Sequence, residues 1–218
     1  MEAENKRLLV EGAGVFGIHL GEEIVEAFDL FLKELVKWNQ KINLTAIRTE
    51  KEIITKHFLD SLSVHPCLTQ CSSLLDIGSG PGFPGIPLKM VDPTLDITLI
   101  DSVRKKVDFQ RHILRSLGLK GIEAIHGRIE EKEILQRMAG RFDCAVSRAF
   151  SDLQTFLRLA YPFLKERGIA LAMKGEWKKE ETEGVMDGGR APYQPRREVV
   201  FFLPFSSLKR TILLFEKQ

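Results

Sequence analysis

The chain has 218 residues, 44% of them hydrophobic and 28% charged, with a net charge of +2. That is the make-up of an ordinary soluble globular protein with room for one substantial core. The small net charge excludes a globally cationic nucleic-acid binder, so any such binding has to rest on local patches. No apolar run approaches the roughly 20 residues that span a bilayer. Met1-Glu2-Ala3-Glu4-Asn5-Lys6-Arg7 lacks the basic start and apolar stretch of a secretory signal. The expected location is the cytoplasm.

Up to about Leu68 the pattern is helical. Ile24, Phe28, Phe31, Leu32 and Leu35 recur at three- and four-residue spacing, one buried face of an amphipathic helix. Trp38-Asn39-Gln40-Lys41-Ile42-Asn43-Leu44-Thr45 reads as a polar connector. A second helix is predicted from Thr49, with Glu52 three residues on in a capping-box arrangement. Its apolar side carries Ile54, Phe58 and Leu62, and its other side Lys56, His57, Asp60 and Ser61. His65, Cys67 and Cys71 cluster next, but no second Cys/His pair follows to complete a structural zinc site, so no metal is expected. The three cysteines (Cys67, Cys71, Cys144) are an odd number for a disulfide framework.

From Ser73 onward strands alternate with helices. Near-continuous apolar runs at 73–77, 96–100, 122–126, 144–147 and 168–173 suit central parallel strands covered on both faces. Helical stretches at 84–91, 103–117, 131–139 and 153–165 separate them. This alternation predicts a doubly wound α/β sheet with right-handed crossovers. Residues 176–195, charged and irregular, read as a mobile loop. Two β-rich runs at 199–204 and 211–215 then predict a C-terminal antiparallel hairpin. The expected fold is a Rossmann-like, mostly parallel seven-stranded sheet closed by that hairpin, the shape of a class I S-adenosylmethionine-dependent methyltransferase. Residues 1–68 form an N-terminal helical extension to the domain at 69–218.

Chemistry concentrates where strands end, because ligands of open α/β sheets bind beyond their carboxyl ends. The first strand runs into Asp76-Ile77-Gly78-Ser79-Gly80-Pro81-Gly82-Phe83-Pro84-Gly85. A dinucleotide-binding loop reads G-x-G-x-x-G. Here Phe83 occupies the place of its last glycine, which argues against an NAD-dependent reductase and for a nucleoside cofactor without a diphosphate: S-adenosylmethionine. Asp76, Gly78, Gly80 and Gly82 form this loop. Asp101 ends the second strand, 23 residues after Gly78, where a carboxylate accepts both ribose hydroxyls or caps the next helix. After the third strand, Ile129 and Glu130 suit an adenine ring and its exocyclic amine. The fourth strand ends in Ser147-Arg148 and the fifth in Lys174. Basic clusters at Arg104-Lys105-Lys106, Arg111-His112 with Arg115, Lys178-Lys179, Arg196-Arg197 and Lys209-Arg210 are phosphate contacts or simply solvated faces.

The run from Trp38-Asn39 through Asn43-Leu44-Thr45, with His57-Phe58-Leu59-Asp60-Ser61, the glycine loop continuing into Gly85-Ile86-Pro87, Ser147-Arg148-Ala149-Phe150 and Lys174-Gly175, resembles the RsmG (GidB) family. These are bacterial methyltransferases of small-subunit ribosomal RNA. The resemblance spans about Phe28 to Phe215. Phe83 stands where that family often has Leu, and Met173 precedes the lysine where Leu is frequent. The resemblance implies methyl transfer from S-adenosylmethionine to N7 of a guanine in the decoding-region loop of 16S rRNA, free or within a small subunit or assembly intermediate. It implies a cofactor pocket lined by Gly78, Phe83, the Asp101-Ser102-Val103 turn, Ile129, Glu130 and Arg148. Guanine N7 carries a free lone pair and loses no proton on methylation, so no general base is expected and catalysis rests on alignment. Asn39, Asn43, His57, Asp60, Arg148 and Lys174 are the residues expected to hold the guanine or its flanking backbone. A non-catalytic RNA- or ribosome-binding module on the same fold is the alternative.

Overall fold

The computed structural model describes residues 1–148, 150, 152–175 and 192–218. One sheet of seven strands organises the chain: β1 (Ser73–Ile77), β2 (Asp96–Asp101), β3 (Ile122–His126), β4 (Phe142–Ser147), β5 (Leu164–Lys174), β6 (Tyr193–Phe202) and β7 (Lys209–Lys217). Their spatial order is β3-β2-β1-β4-β5-β7-β6. The first five strands are parallel. β7 runs antiparallel between β5 and β6. The order reverses between β1 and β4, and a crevice opens beyond the strand ends at such a reversal.

Strand periodicity divides the core in two. Leu74, Ile97, Leu99, Cys144, Val146, Leu171 and Ile212 face one side of the sheet. There they pack with α1 (Ala3–Val15), α2 (Glu22–Asn39), α5 (Gly85–Val91) and α6 (Arg104–Ser116). Leu75, Ile77, Ile100, Ala145, Ala170 and Leu213 face the other side, under α7 (Lys132–Met138) and α8 (Leu153–Ala160). The N-terminal helices therefore share one continuous hydrophobic cluster with the sheet. Phe31 of α2 stacks on Phe83 of the glycine loop, with centroids 5.2 Å apart.

The N-terminal elements depart from expectation in three ways. α2 continues through Trp38 and Asn39, because the Trp38 ring packs on Phe109 and His112 of α6. α1, which periodicity did not single out, packs so tightly that a Cβ on Gly12 would lie 2.4 Å from Leu59 Cδ1. The helix capped by Thr49 is not regular. The Thr49 hydroxyl accepts from the Glu52 backbone N–H, starting α3 (Glu50–Ile53). A π-helical segment (Ile54–Leu59) follows, then α4 (Asp60–Leu62). The polar side of this stretch is buried as well, with His57, Asp60 and Ser61 exposed by 8%, 3% and 0%. It is turned onto the end of β4, where a cation waits.

Toward the C-terminus, α8 stops at Ala160 instead of Lys165. Tyr161-Pro162-Phe163 forms a 3-10 turn, and proline cannot continue the helical hydrogen bonding. β6 begins at Tyr193, so the end of the expected 176–195 loop is strand, while 176–191 lies outside the described residues. Tyr193 is buried and its hydroxyl donates to Leu157 O, which pulls this segment into the sheet. Cys144 sits in the core, and the neighbouring Cys71 thiol donates to Ser73 O at 3.5 Å beside it. The adjacent Cys144 and burial push the Cys71 thiol well above its ordinary range. No cluster of three metal-ligating side chains occurs among the described residues, and none of their helices is long and apolar enough to cross a membrane.

Candidate active site

At the reversal in strand order lies a cavity of about 320 Å³ lined by Ile77, Gly78, Ile100, Asp101, Ser102, Gly127, Arg128, Ile129, Glu130, Phe150, Thr155 and Leu159. Four strand ends and the start of α8 build it. The glycine loop folds over the end of β2: the Gly78 and Ser79 N–H groups both donate to Ile100 O. Gly78, Gly80 and Gly82 all have positive φ (73°, 58° and 103°), a conformation only glycine adopts freely. From beneath, Gln110 of α6 donates to Ser79 Oγ at 2.8 Å and Gly80 O at 2.6 Å.

Asp101 holds this loop to the next one. Its Oδ2 accepts from Gly80 N–H and its Oδ1 from Val103 N–H, both at 2.8 Å. Each carboxylate oxygen keeps a second lone-pair direction. Ile129 is buried beside exposed Glu130. A carboxylate at one end, an apolar slab at the other and open backbone at Gly78 fit an adenosine with a short polar tail. Asp76 lies one layer deeper. Its Oδ2 accepts from Gly85 N–H at 2.9 Å, and its Oδ1 has no hydrogen-bond partner. Burial raises its pKa to about 7 against that one N–H bond.

A second constellation lies beside the pocket. The Arg148 guanidinium donates to Lys56 O (3.1 Å), Asp60 Oδ2 (3.4 Å) and His57 Nδ1 (3.1 Å). It also lies over the Phe83 ring, 5.2 Å from its centroid. Because guanidinium only donates, His57 Nδ1 must accept, so its Nε2–H donates to Thr45 Oγ1 at 2.8 Å. Burial, followed by the Arg148 charge, depresses the His57 pKa to about 3, and the ring is neutral. Its face stacks on Phe83 at 4.6 Å. Asp60 Oδ1 accepts from Arg210 Nε of β7 at 3.0 Å. Three distant stretches of chain meet on one carboxylate.

The model of the family described as GidB, rRNA small subunit methyltransferase G, matches residues 24–195. The chain belongs to this family. A ribosomal RNA small subunit methyltransferase G of Geobacter metallireducens is 46% identical over 219 residues, covering 100% of this chain and 99% of that protein. The Acetivibrio thermocellus protein of the same name is 38% identical and covers 99% of this chain and 90% of its own. Among solved structures, the Burkholderia thailandensis 1,6-didemethyltoxoflavin-N1-methyltransferase, with bound S-adenosylhomocysteine, superposes with a TM-score of 0.53. It covers 73% of this chain and 76% of that one, at 15% identity, which speaks for the fold alone.

In this RsmG-family chain the residues singled out by sequence take different places in the structure. Gly78, Asp101, Ser102, Ile129 and Glu130 line the cavity. Asp76, Gly80, Gly82 and Val103 shape the backbone beneath it. Phe83 and Arg148 do not line it; Phe83 is 1% exposed inside the Phe31–His57 stack. His57 and Asp60 are bound up with Arg148. Asn39 is a clamp on the connector: its Oδ1 accepts from Leu44 and Thr45 N–H, and its Nδ2 donates to Thr45 O. Asn43 is exposed, and Lys174 donates to Phe150 O at 3.0 Å. Of the basic clusters, Arg104 and Lys105 are exposed, Arg111 donates to Ala124 O and Arg196 pairs with Glu216. Lys178-Lys179 lies outside the described residues.

Sequence reading missed Gln110, Thr155 and the pairing of Arg210 with Asp60. Gln110 had a signal: it sits three residues after Val107 and three before Ile113, a polar side chain in the buried register of α6, and it is 0% exposed. Arg210 was visible as part of the Lys209-Arg210 cluster, but its pairing with Asp60 had no signal, since that partner is 150 positions away.

Proposed function

We propose that this protein transfers the methyl group of S-adenosylmethionine to N7 of a guanine in the decoding-region loop of 16S rRNA, acting in the cytoplasm on that RNA or on a small-subunit particle. The observation that carries the reading is the cavity at the strand-order reversal, with Asp101 at one end and Ile129–Glu130 at the other, in a chain of this family. The cofactor supplies an electrophilic methyl on a sulfonium. Asp101 accepts the ribose hydroxyls with the lone pairs its two N–H bonds leave open. Ile129 covers the adenine, and Glu130 accepts from its exocyclic amine. Gly78 permits close backbone approach. The partnerless Asp76 Oδ1, one layer below the cavity, would accept a hydrogen bond from the ammonium end through water.

N7 attacks as a lone pair and the product is cationic, so no side chain needs to remove a proton. The neutral, buried His57 is in keeping with that: it orients and does not titrate near neutrality. Alignment of the guanine falls to Arg148, Asn43 and Lys174, with Asp60 and His57 bracing Arg148. Mass-spectrometric mapping of 16S rRNA tests the reading. RNA from a deletion strain should lack one 7-methylguanosine, and the purified protein should restore it; an unchanged map overturns the substrate. Gly78→Asp should weaken S-adenosylhomocysteine binding in calorimetry by at least about 100-fold, roughly 3 kcal/mol. Retained affinity would show that the pocket is misassigned.

A further inference from the structure

The tip of the β6–β7 hairpin is absorbed by neither the fold nor the pocket. Register places it on the carboxyl edge: Lys174 at the end of β5 lies opposite Thr211 of β7, and Thr211 lies opposite Val200 of β6. Everything from Phe201 through Arg210 therefore projects on the side where the cavity opens. Two aromatic rings stand out there: Phe202 is 63% exposed and Phe205 53%.

Phe205 has φ 59°, in the left-handed region. A bulky residue held there is uncommon and costs conformational energy, and such strain gathers at functional sites. The turn is built to hold it. Leu203 and Pro204 on its near side are buried. Leu203 N–H donates to Leu208 O, and Ser206 N–H to Leu203 O. The Ser206 hydroxyl donates to Leu203 O and accepts from Leu208 N–H. Four hydrogen bonds fasten the loop while the ring faces water.

The two charged residues of the tip, Lys209 and Arg210, are both cations. Phe202 is paired in register with exposed Lys209, and Arg210 follows. Arg210 reaches Asp60, whose other oxygen holds Arg148, so the base of the hairpin is one side chain from the Arg148 cluster. Lys174 stands on the same edge. Exposed aromatic faces among cations are the combination that binds single-stranded nucleic acid, with bases stacked on the rings and phosphates on the cations.

We infer that Phe202 and Phe205 form a stacking platform on the β6–β7 tip for unpaired RNA bases flanking the methylated guanine. The inference rests on the proposed function for which bases are bound, but not for the stacking itself. Stacking tolerates any sequence. The test therefore uses a fluorescein-labelled, unstructured 12-nucleotide RNA at low salt, alongside calorimetry with S-adenosylhomocysteine. Phe205→Ala and Phe202→Ala should each weaken RNA binding, by roughly 5- to 150-fold per lost stack, leaving cofactor affinity within twofold. Phe205→Tyr should retain RNA affinity, whereas Phe205→Leu should not.

Phe205→Gly separates function from folding. Glycine relieves the positive φ, so the thermal midpoint should hold or rise while RNA affinity falls. A lower midpoint with unchanged RNA affinity would make Phe205 a structural residue and overturn the inference. So would equal binding by the Leu and Tyr variants, or loss of binding to anionic lipid vesicles in place of RNA. If the wild-type protein methylates no rRNA yet these variants lose RNA binding, the proposed function fails and the platform stands.

Discussion

Asp101 and Asp60 are both carboxylates buried at the carboxyl edge, 7% and 3% exposed, and each accepts two hydrogen bonds. Their donors differ. Asp101 is held by neutral backbone N–H groups of two loops, so its charge is uncompensated at the wall of the cavity. Asp60 is held by the guanidinium groups of Arg148 and Arg210, so its charge is spent within the protein. The same residue type leaves an open charge on a cavity wall in one place and is a brace in the other. What separates them is whether the donors carry charge.

The largest expected effect is on the brace. Asp60→Ala leaves two guanidinium groups without their counter-ion and should destabilise the fold by about 3–5 kcal/mol. For a chain of this size that lowers the thermal midpoint by roughly 6–20 °C. Below the transition, S-adenosylhomocysteine affinity should stay near wild type; a parallel loss of affinity would mean that Asp60 also shapes the pocket. Asp101→Asn should do the reverse. Folding should lose no more than the one loop N–H bond that an amide nitrogen cannot accept, about 1 kcal/mol, while cofactor affinity falls by about 1.5–3 kcal/mol, the worth of hydrogen bonds to a charged acceptor. Equal damage to stability and affinity would erase the contrast.

Two other buried groups sharpen it through pH. His57 has a folded pKa near 3 against an ordinary value of 6.5. Below pH 6.5 the unfolded chain takes up a proton that the folded one refuses, so its contribution to stability is lost as pH falls from 6.5 toward 3. Asp76 has a folded pKa near 7 against 3.8. It contributes below pH 3.8 and loses that contribution as pH rises toward 7. Each slope approaches about 1.4 kcal/mol per pH unit. In denaturant titrations the stability gap between wild type and His57→Gln should therefore shrink on acidification. The gap to Asp76→Asn should shrink on going toward neutrality. Gaps that stay flat with pH would remove the pKa assignments.

The smallest effect separates two asparagines from the same connector. Asn39→Ala breaks the clamp on Leu44 and Thr45 and should cost about 1–3 kcal/mol. Asn43→Ala, on the surface, should stay within about 0.5 kcal/mol and act, if anywhere, on the KM for RNA. A reversed order would show the connector to be held elsewhere.

The sheet was legible because its strands are apolar runs whose period and turn residues are local. β1 and β3 fall on their predicted bounds, and the D-x-G-x-G-x-G loop announces a backbone of positive φ. The cavity lining was legible in outline for the same reason, since Asp101, Ile129 and Glu130 each follow a recognisable strand. The sequence alone thus determined the fold, the family and much of the lining of the cavity. Only the tertiary structure decided what His57, Asp60, Arg148, Phe83 and Arg210 do. Their partners lie up to 150 positions away, and a π-helical segment turns the polar face of its helix onto the Arg148 guanidinium. Helical period assigns a face but not what covers it, and charge pairing at such separations leaves no trace in local spacing.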